Sequence, residues 1–360
     1  MKIIKFILKF ILTPILVLLV GILVFFTIKN TLYLGTENPG NIAYLKAHNE
    51  VLDRSNLDFK SFDSAFYNNN IFILSENHGY EDVQTIDYAL LIHLNKKIGL
   101  RYYIAETDSN NANRLNSFLR NATPDVNLLK EFVKNIALGI PQQSSQQLFD
   151  KWMRIHAYNT RLKDNAKIEI LGLDQNYDDK TTKLSRDSSM LLNLKYYLET
   201  KHLEKEKFYG LFGYYHSLQS SVNENNKFPF TAKLKRYAAY PPFQKVQSIT
   251  TYTLESEMYM PKMEGMPTPP DNKLTMFNID GPIALVRGVK DLKATSQPNS
   301  LTLYHLDAEN SPYKKSQNLA GVNVNFIGDK VVPNNSTQVT TDFFQHIILL
   351  RGSKSLSPLK

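Results

Sequence analysis

Four short apolar runs, each ending on an ionisable side chain, constrain the fold of this 360-residue chain most strongly. They span residues 71–76, 102–106, 168–174 and 208–216, and helical sequence follows each of the first three. Apolar runs of this length between polar residues predict buried strands. Strands that alternate with helices predict an α/β fold, with a largely parallel sheet flanked by helices.

The ends of these strands carry the candidate catalytic residues, which are Glu76, His78, Glu106, Asp174 and His216. Ligands of parallel α/β sheets bind outside the carboxyl ends of the strands, which gather at one edge. A single Glu or His at such a position is often only a cap for the next helix. Because the pattern recurs, and half-buried ionisable groups are costly unless they are partnered, we expect the five side chains to form one site.

The segment 10–28 is almost wholly apolar and long enough to cross a bilayer as a helix. Lys2, Lys5 and Lys9 precede it, so the positive-inside tendency places the N-terminus in the cytoplasm and the rest of the chain outside. A cleaved signal peptide would begin in the same way. The length of the apolar run and the lack of a small-x-small site after it favour an uncleaved, single-pass membrane anchor.

Charge and cysteine content exclude several classes of function. Of the 42 basic residues, Lys2, Lys5, Lys9 and Lys29 lie in or beside the apolar segment, which leaves a nearly balanced remainder. No basic stripe with interleaved aromatic residues is present, so nucleic acid is not an expected partner. The chain has no cysteine, which excludes disulfides, thiolate metal sites and cysteine nucleophiles.

The sequence divides into an anchor, a polar segment, a large α/β domain and a short tail. The predicted bounds are 1–30 for the anchor, 31–68 for a stalk with a leading helix, 69–352 for the domain and 353–360 for the tail. Residues 223–271, rich in proline, methionine and tyrosine, interrupt the strand–helix pattern and predict an insertion. The insertion is either an aromatic lid over the site or an ordinary loop. Four later strands are predicted, at 274–279, 301–306, 322–327 and 342–350.

Several short motifs in this order resemble the erythromycin esterase-like family over residues 70–350. They are Glu76-Asn77-His78-Gly79, Asn113-Arg114-Leu115-Asn116, Trp152-Met153-Arg154, Tyr158-Asn159, Gly172-Leu173-Asp174, Gly213-Tyr214-Tyr215-His216 and Asp342-Phe343-Phe344-Gln345. By the same resemblance the superfamily includes Tiki-type metalloproteases and ChaN-like haem-binding proteins. The resemblance implies an α/β sheet with the site at its strand ends, and implies Arg154, Asn116 and Tyr215 as substrate-binding residues.

The chain departs from the family at two positions and in its anchor. Ser75 stands where the family usually has glycine, which is a mild change. Asp87 lies about where macrolide esterases carry an arginine, which argues against a macrolide as substrate. A membrane anchor is also not typical of the cytosolic resistance enzymes. We therefore expect the fold and the site without the drug specificity.

The resemblance and the residue types together predict a metal-independent hydrolase acting on an ester or lactone-like bond of a small molecule. His78 would take a proton from water, because an imidazole titrates near neutrality. Glu76 or Glu106 would orient that imidazole or share the water, His216 would donate to the oxyanion or leaving group, and Asp174 would hold a tautomer. No Gly-x-Ser-x-Gly elbow is present, so a serine nucleophile is disfavoured.

Two other readings stay open. The same five residues could bind a divalent metal, as in a Tiki-type hydrolase or protease. A non-catalytic protein that binds haem or another planar ligand would use Tyr214, Tyr215 and His216. The remaining histidines are expected to be surface or core groups rather than ligands, and they are His48, His93, His156, His202, His305 and His346. The sequence indicates no particular oligomeric state.

Overall fold

An eight-stranded sheet with helices on both faces organises the chain in a computed structural model. The structure describes residues 10, 12–176, 181–223, 227–262, 268–325 and 330–360. Within these residues the α-helices are α1 Thr13–Leu34, α2 Pro39–Ala47, α3 Ser64–Tyr67, α4 Glu81–Ile98, α5 Ser109–Arg120, α6 Val126–Ile136, α7 Gln146–Asn159, α8 Arg186–Lys201, α9 Phe230–Arg236 and α10 Val289–Thr295. The strands are β1 Asn49–Leu52, β2 Ile71–Glu76, β3 Tyr102–Ala105, β4 Glu169–Gly172, β5 Phe208–Gly213, β6 Val246–Leu254, β7 Met258–Tyr259, β8 Lys273–Leu274, β9 Ala284–Leu285, β10 Leu301–His305, β11 Asn323–Val324 and β12 His346–Arg351.

The main sheet is largely parallel, and its strand order is β1-β10-β12-β6-β2-β5-β3-β4. Each neighbouring pair from β12 to β4 is parallel. At the other edge, β10 pairs antiparallel with β12, and β1 pairs antiparallel with β10. The predicted α/β fold class is confirmed.

The near-continuous apolar run of β2 follows from burial of the strand on both faces. Phe72 and Leu74 pack into the cluster that contains Leu90 of α4. Ile73, on the opposite face, packs into the cluster that contains Leu194 of α8. Successive strand side chains alternate between faces, so a strand covered by helices on both sides needs apolar residues at nearly every position.

The segment 223–271 is not simply an insertion, because it supplies β6, which lies between β2 and β12. This strand contains no apolar run, since hydroxyl side chains occupy much of it. Two of them are satisfied by neighbouring backbone: Ser248 Oγ donates to Ser217 O over 2.9 Å, and Thr251 Oγ1 donates to Ser75 O over 2.9 Å. The buried Thr250 hydroxyl has no hydrogen-bond partner among the described residues. Periodicity therefore missed a central strand.

Of the four later strands predicted, two are confirmed, one is wrong and one is confirmed only in part. β10 and β12 match the predictions at 301–306 and 342–350 closely, although β12 begins only at His346. The strand predicted at 274–279 is wrong, since only the two-residue β8 overlaps it. The one predicted at 322–327 is reduced to β11, and its last two residues lie outside the described part of the chain.

The segment predicted as a stalk packs on the domain instead. β1 joins the sheet edge, and Leu45 of α2 is fully buried in the core. The sequence pattern does not predict β1, because only one of its four residues, Leu52, is buried and the strand therefore has no apolar run. The C-terminal tail also packs back, since Leu356 is buried and Ser355 forms a β-bridge with Tyr80.

Helix α1 is long and apolar enough to span a membrane: 22 residues with a mean hydropathy of 2.3 and an exposed surface. It runs six residues beyond the predicted span before it ends at Leu34. Its end is attached to the domain, since Gly288 N–H donates to Leu34 O (3.1 Å) and Asn325 Nδ2 donates to Asn30 Oδ1 (2.9 Å). Lys2, Lys5 and Lys9, on which the predicted orientation rests, lie outside the described residues.

Candidate functional site

The structure brings the five predicted catalytic side chains together at the carboxyl edge of the sheet. β2, β5, β3 and β4 are consecutive neighbours, so the residues that follow them meet there. Glu76 ends β2, and Glu106 and Asp174 follow β3 and β4. His216 lies beyond β5, in the short 3-10 helix Tyr214–Ser217 rather than on the strand itself.

The side chain of His78 is 27% exposed, whereas that of its neighbour Glu76 is 1% exposed, so the imidazole is accessible from solvent and the carboxylate is not. His78 Nδ1 lies 2.9 Å from Glu76 Oε1, an ion-pair contact in which the ring N–H does not point straight at the oxygen. Gln143 Nε2 donates to the same oxygen of Glu76. His78 Nε2 has no hydrogen-bond partner within the part of the chain that the structure describes, which leaves it available to water or a substrate.

Two glycines allow this placement of the imidazole. Gly79 has φ +102°, and a Cβ there would lie 2.6 Å from Tyr259 O, so only glycine turns the chain directly after His78. A Cβ on Gly213 would lie 3.2 Å from His78 Nε2. Gly213 N–H also donates to Glu106 Oε2 over 2.6 Å. A larger residue at 213 would crowd both the imidazole and the carboxylate.

Arg186 is a member of the cluster that the sequence prediction missed. Its Nη2 donates to Glu106 Oε1 over 2.7 Å, and its Nε donates to Asp174 Oδ2 over 2.9 Å. The two carboxylates are 4% and 0% exposed, so they need a cation to remain charged in the interior. Helix α8 begins at Arg186, at the same sheet edge as the strand ends. A search for a basic residue in the first turn of that helix would have found it.

Asp187 is the second missed residue, and it corrects the role expected for Asp174. His216 Nδ1 lies 2.7 Å from Asp187 Oδ1, which also accepts from Phe230 N–H over 2.6 Å. Asp187 therefore holds the His216 tautomer, while Asp174 is engaged by Arg186. The other nitrogen of His216, Nε2, lies 3.6 Å from Glu106 Oε1.

The charges of the cluster shift its pKa values in consistent directions. Burial lowers the pKa of His78, but the nearby Glu76 and Glu106 carboxylates outweigh burial and raise it above its usual value. Burial likewise lowers the pKa of His216, and the hydrogen bond to Asp187 together with the Glu106 charge raises it overall. Burial raises the pKa of Glu106, whereas His216, His78 and Arg186 together lower it below its usual value, so Glu106 is ionised at neutral pH.

Only one of the three predicted substrate-binding residues lies beside the cluster. The Tyr215 ring centroid is 5.4 Å from that of His216. Asn116 uses its amide to bind β4, donating to Ile170 O and accepting from Ile170 N–H, each over 2.8 Å. Arg154 is exposed on α7, with its guanidinium carbon 3.8 Å from the ring centroid of Tyr88. Asn116 and Arg154 therefore make contacts within the fold. A short sequence motif cannot distinguish such a residue from one that binds a substrate.

Asp87, at the position where macrolide esterases tend to have arginine, is a buried residue with a structural role. It is fully buried and accepts from Lys151 Nζ over 2.6 Å. The hydroxyls of Tyr103 and Tyr209 donate to it over 3.0 Å and 2.7 Å. This carboxylate joins helices α4 and α7 to strands β3 and β5 within the core.

The side chains of the cluster do not fit a divalent metal as they are arranged. The guanidinium of Arg186 already occupies the space between Glu106 and Asp174, where a metal ion would need their oxygens. Within the described ranges, no group of three or more His, Asp or Glu side chains is placed to hold a metal ion. Binding of a metal would require displacement of Arg186.

No protein-family model and no curated protein matches the sequence. Solved structures do match. A Bacillus cereus protein aligns with a TM-score of 0.67 at 13% identity over 90% of this chain and 100% of its own. A succinoglycan biosynthesis protein aligns at 0.61 and 13% identity over 88% and 98%. A mutant of the erythromycin esterase EreC in its open conformation aligns at 0.59 and 12% identity over 84% and 96%. At such identities these matches show a shared fold, and they confirm the predicted resemblance at that level.

Proposed function

We propose that this chain, which has the fold of an erythromycin esterase, is a membrane-anchored hydrolase that uses water to break an ester or lactone-like bond in a small molecule. One observation carries the proposal. His78 is the more accessible of the two imidazoles, with 27% of its side chain exposed against 12% for His216, its Nδ1 faces the buried Glu76, and no hydrogen bond joins its Nε2 to any described residue. This is the arrangement that a general base for water requires.

Glu76 sets the tautomer of His78 in this mechanism. A carboxylate beside Nδ1 favours a proton on that nitrogen, so Nε2 presents its lone pair to a water molecule. When the water attacks the substrate carbonyl, its proton passes to Nε2. The Glu76 and Glu106 charges that raise the pKa of His78 also stabilise the imidazolium that forms.

His216 is the proposed acid. Its raised pKa favours the imidazolium form, which Asp187 orients through Nδ1 and which can give a proton from Nε2 to the leaving group. Glu106 is not a base in this scheme, because Arg186 and the Gly213 N–H already bind its two oxygens. Its charge instead balances the two imidazoles, which assigns the orienting role to Glu76.

The proposed location is the membrane, with α1 spanning it, the N-terminus in the cytoplasm and the α/β domain outside. The support is the length and hydropathy of α1 together with Lys2, Lys5 and Lys9 before it. Membrane fractionation and protease protection of sealed vesicles test it. Release of the protein by salt would contradict this placement. So would a domain that, in right-side-out vesicles, is cleaved only after the membrane has been permeabilised.

A panel of ester and lactone substrates tests the chemistry with the full chain in detergent. His78→Gln is expected to lower kcat/KM by about 100-fold or more, because general-base catalysis contributes about 10²–10⁴-fold. Because the base must be unprotonated and the acid protonated, the wild-type rate should pass through a maximum with pH. It should rise through a midpoint above 6.5 as His78, whose pKa is raised, loses its proton, and fall as His216 loses its own. His93→Gln is the matched control, because the His93 ring pairs with Tyr67 away from the cluster.

Full activity in a folded His78→Gln protein would refute the proposal. Elemental analysis and an absorption spectrum of the same preparation test the two alternatives. A stoichiometric metal whose removal abolishes turnover would replace the proposal with a metal-dependent hydrolase. A haem band without turnover of any substrate would replace it with a binding protein.

A further inference from the structure

A cavity of about 640 Å³ lies beside the end of helix α1, away from the catalytic cluster. Phe26, Lys29 and Tyr33 line it from the helix, at spacings of three and four residues that place them on one face. Arg287 and Lys330 line it from the domain. The cavity is therefore formed jointly by the membrane helix and the folded domain.

The lining of this cavity is positively charged. Lys29, Arg287 and Lys330 contribute cations, and none of the described residues that line the cavity is an Asp or Glu. None of the three has an ion-pair partner in the described portion of the chain; Lys29 instead lies 5.7 Å from the Phe26 ring centroid and Arg287 lies 5.5 Å from that of Tyr33. Three uncompensated cations around one concave space favour an anionic ligand.

The position of α1 sets the height of the cavity relative to a bilayer. The apolar span ends at residue 28, so Phe26 lies at the edge of the hydrocarbon layer and Lys29 at the level of the headgroups. Tyr33 lies about 10 Å beyond Phe26 along the helix axis, from a rise of 1.5 Å per residue. The hydrogen bonds from Asn325 to Asn30 and from Gly288 to Leu34 hold the domain against this part of the helix.

We propose that this cavity binds the phosphate headgroup of an anionic membrane lipid, an inference that rests on the proposed membrane anchor. Arg287 offers a planar fork of donors that suits phosphate oxygens, and Lys29 and Lys330 add point charges. Phe26 provides an apolar surface for the part of the acyl chains that is nearest the glycerol backbone. Free phosphate shares the headgroup's chemistry but has no use for that apolar surface.

The test uses the full chain in nanodiscs of phosphatidylcholine alone or mixed with phosphatidylglycerol, with unfolding followed by the fluorescence of Trp152, the single tryptophan. Phosphatidylglycerol is expected to raise the Tm of the wild type by about 3 °C. The Arg287→Gln/Lys330→Gln variant should lose more than half of that gain. Both side chains are exposed, so the substitutions remove no core contact.

Lys290→Gln/Lys314→Gln is the matched control, because it removes two charges outside the cavity and should keep the full gain. Equal Tm values in both lipids, or equal loss in both variants, would overturn the proposal. A gain of the same size from inorganic phosphate in neutral detergent would also overturn it in favour of a soluble ligand. A chain that does not enter nanodiscs refutes the anchor itself, whereas one that enters without responding refutes only the lipid site.

Discussion

Replacement of Arg186 by glutamine removes the cation shared by two buried carboxylates. Loss of one partner from a buried ion pair costs about 3–5 kcal/mol, because a charge is left in the interior without compensation. The Arg186 side chain is 32% exposed, so water screens part of the interaction. We therefore expect Arg186→Gln to lower the free energy of unfolding by about 3 kcal/mol at pH 7.

The loss should depend on pH in a defined direction. The pKa of Glu106 is lowered in the folded state, so this group stabilises the fold above its unfolded value of 4.5 and the contribution disappears as pH falls through the folded-state pKa. Without Arg186 one cause of the lowering is gone. The difference between wild type and variant should be largest at neutral pH and shrink below pH 4.5.

Urea unfolding of the full chain in detergent, followed by the fluorescence of the buried Trp152, measures both quantities. Arg114→Gln is the control, since Arg114 lies 3.5 Å from Glu131 with both side chains exposed. That change should alter stability by no more than about 0.5 kcal/mol. A loss below about 1 kcal/mol for Arg186→Gln, or a loss equal at pH 7 and pH 4, would refute the account of the cluster as a charge-balanced site.

Two further predictions concern groups away from the catalytic cluster. Asp87→Asn leaves the buried Lys151 without a counter-charge and should cost about 3 kcal/mol in the same urea assay; a loss under about 1 kcal/mol would contradict the structural role of Asp87. His305 and His346 contact each other through Nδ1 atoms 3.1 Å apart, and burial lowers the pKa of both. The unfolded state then binds more protons below pH 6.5, so wild-type stability should fall between pH 6.5 and 5, and His346→Asn should reduce that dependence. Identical pH dependence in the two proteins would show that the pair does not titrate as inferred.

The strands that could be predicted from the sequence are those whose burial requires a run of apolar residues. β2 to β5 are covered on both faces and are therefore apolar, and their carboxyl ends had to meet once the sheet was parallel. β6 is equally central, but its Ser248 and Thr251 hydroxyls are satisfied by the backbone of Ser217 and Ser75, residues far away in sequence. No local pattern contains that information.

For the site as well, the sequence predicted one part, the residues at the strand ends, and not the other, their charged partners. Glu76, His78, Glu106, Asp174 and His216 could be assigned to one edge because strand ends converge. The partners of these groups could not, because which charge meets which depends on how α8 begins against the sheet. Arg186 and Asp187 are adjacent in sequence yet bind different groups, and only the packed helix separates their roles.

The position of β12 in the sheet has a consequence for how the chain is made. β12 begins at residue 346 but lies in the interior of the sheet, between β6 and β10. β1 is made early, yet it cannot pair until its partner β10 has been synthesised. A chain that has emerged from the ribosome only as far as residue 300 therefore holds the five strands β6, β2, β5, β3 and β4 with an open edge at β6, while β1 has no partner strand. Open edges and long-range pairing make folding slow and aggregation easy. A premature stop before β12 would thus separate β1-β10 from β6-β2-β5-β3-β4, and the two edges that β12 joins stay open during synthesis until β12 has emerged.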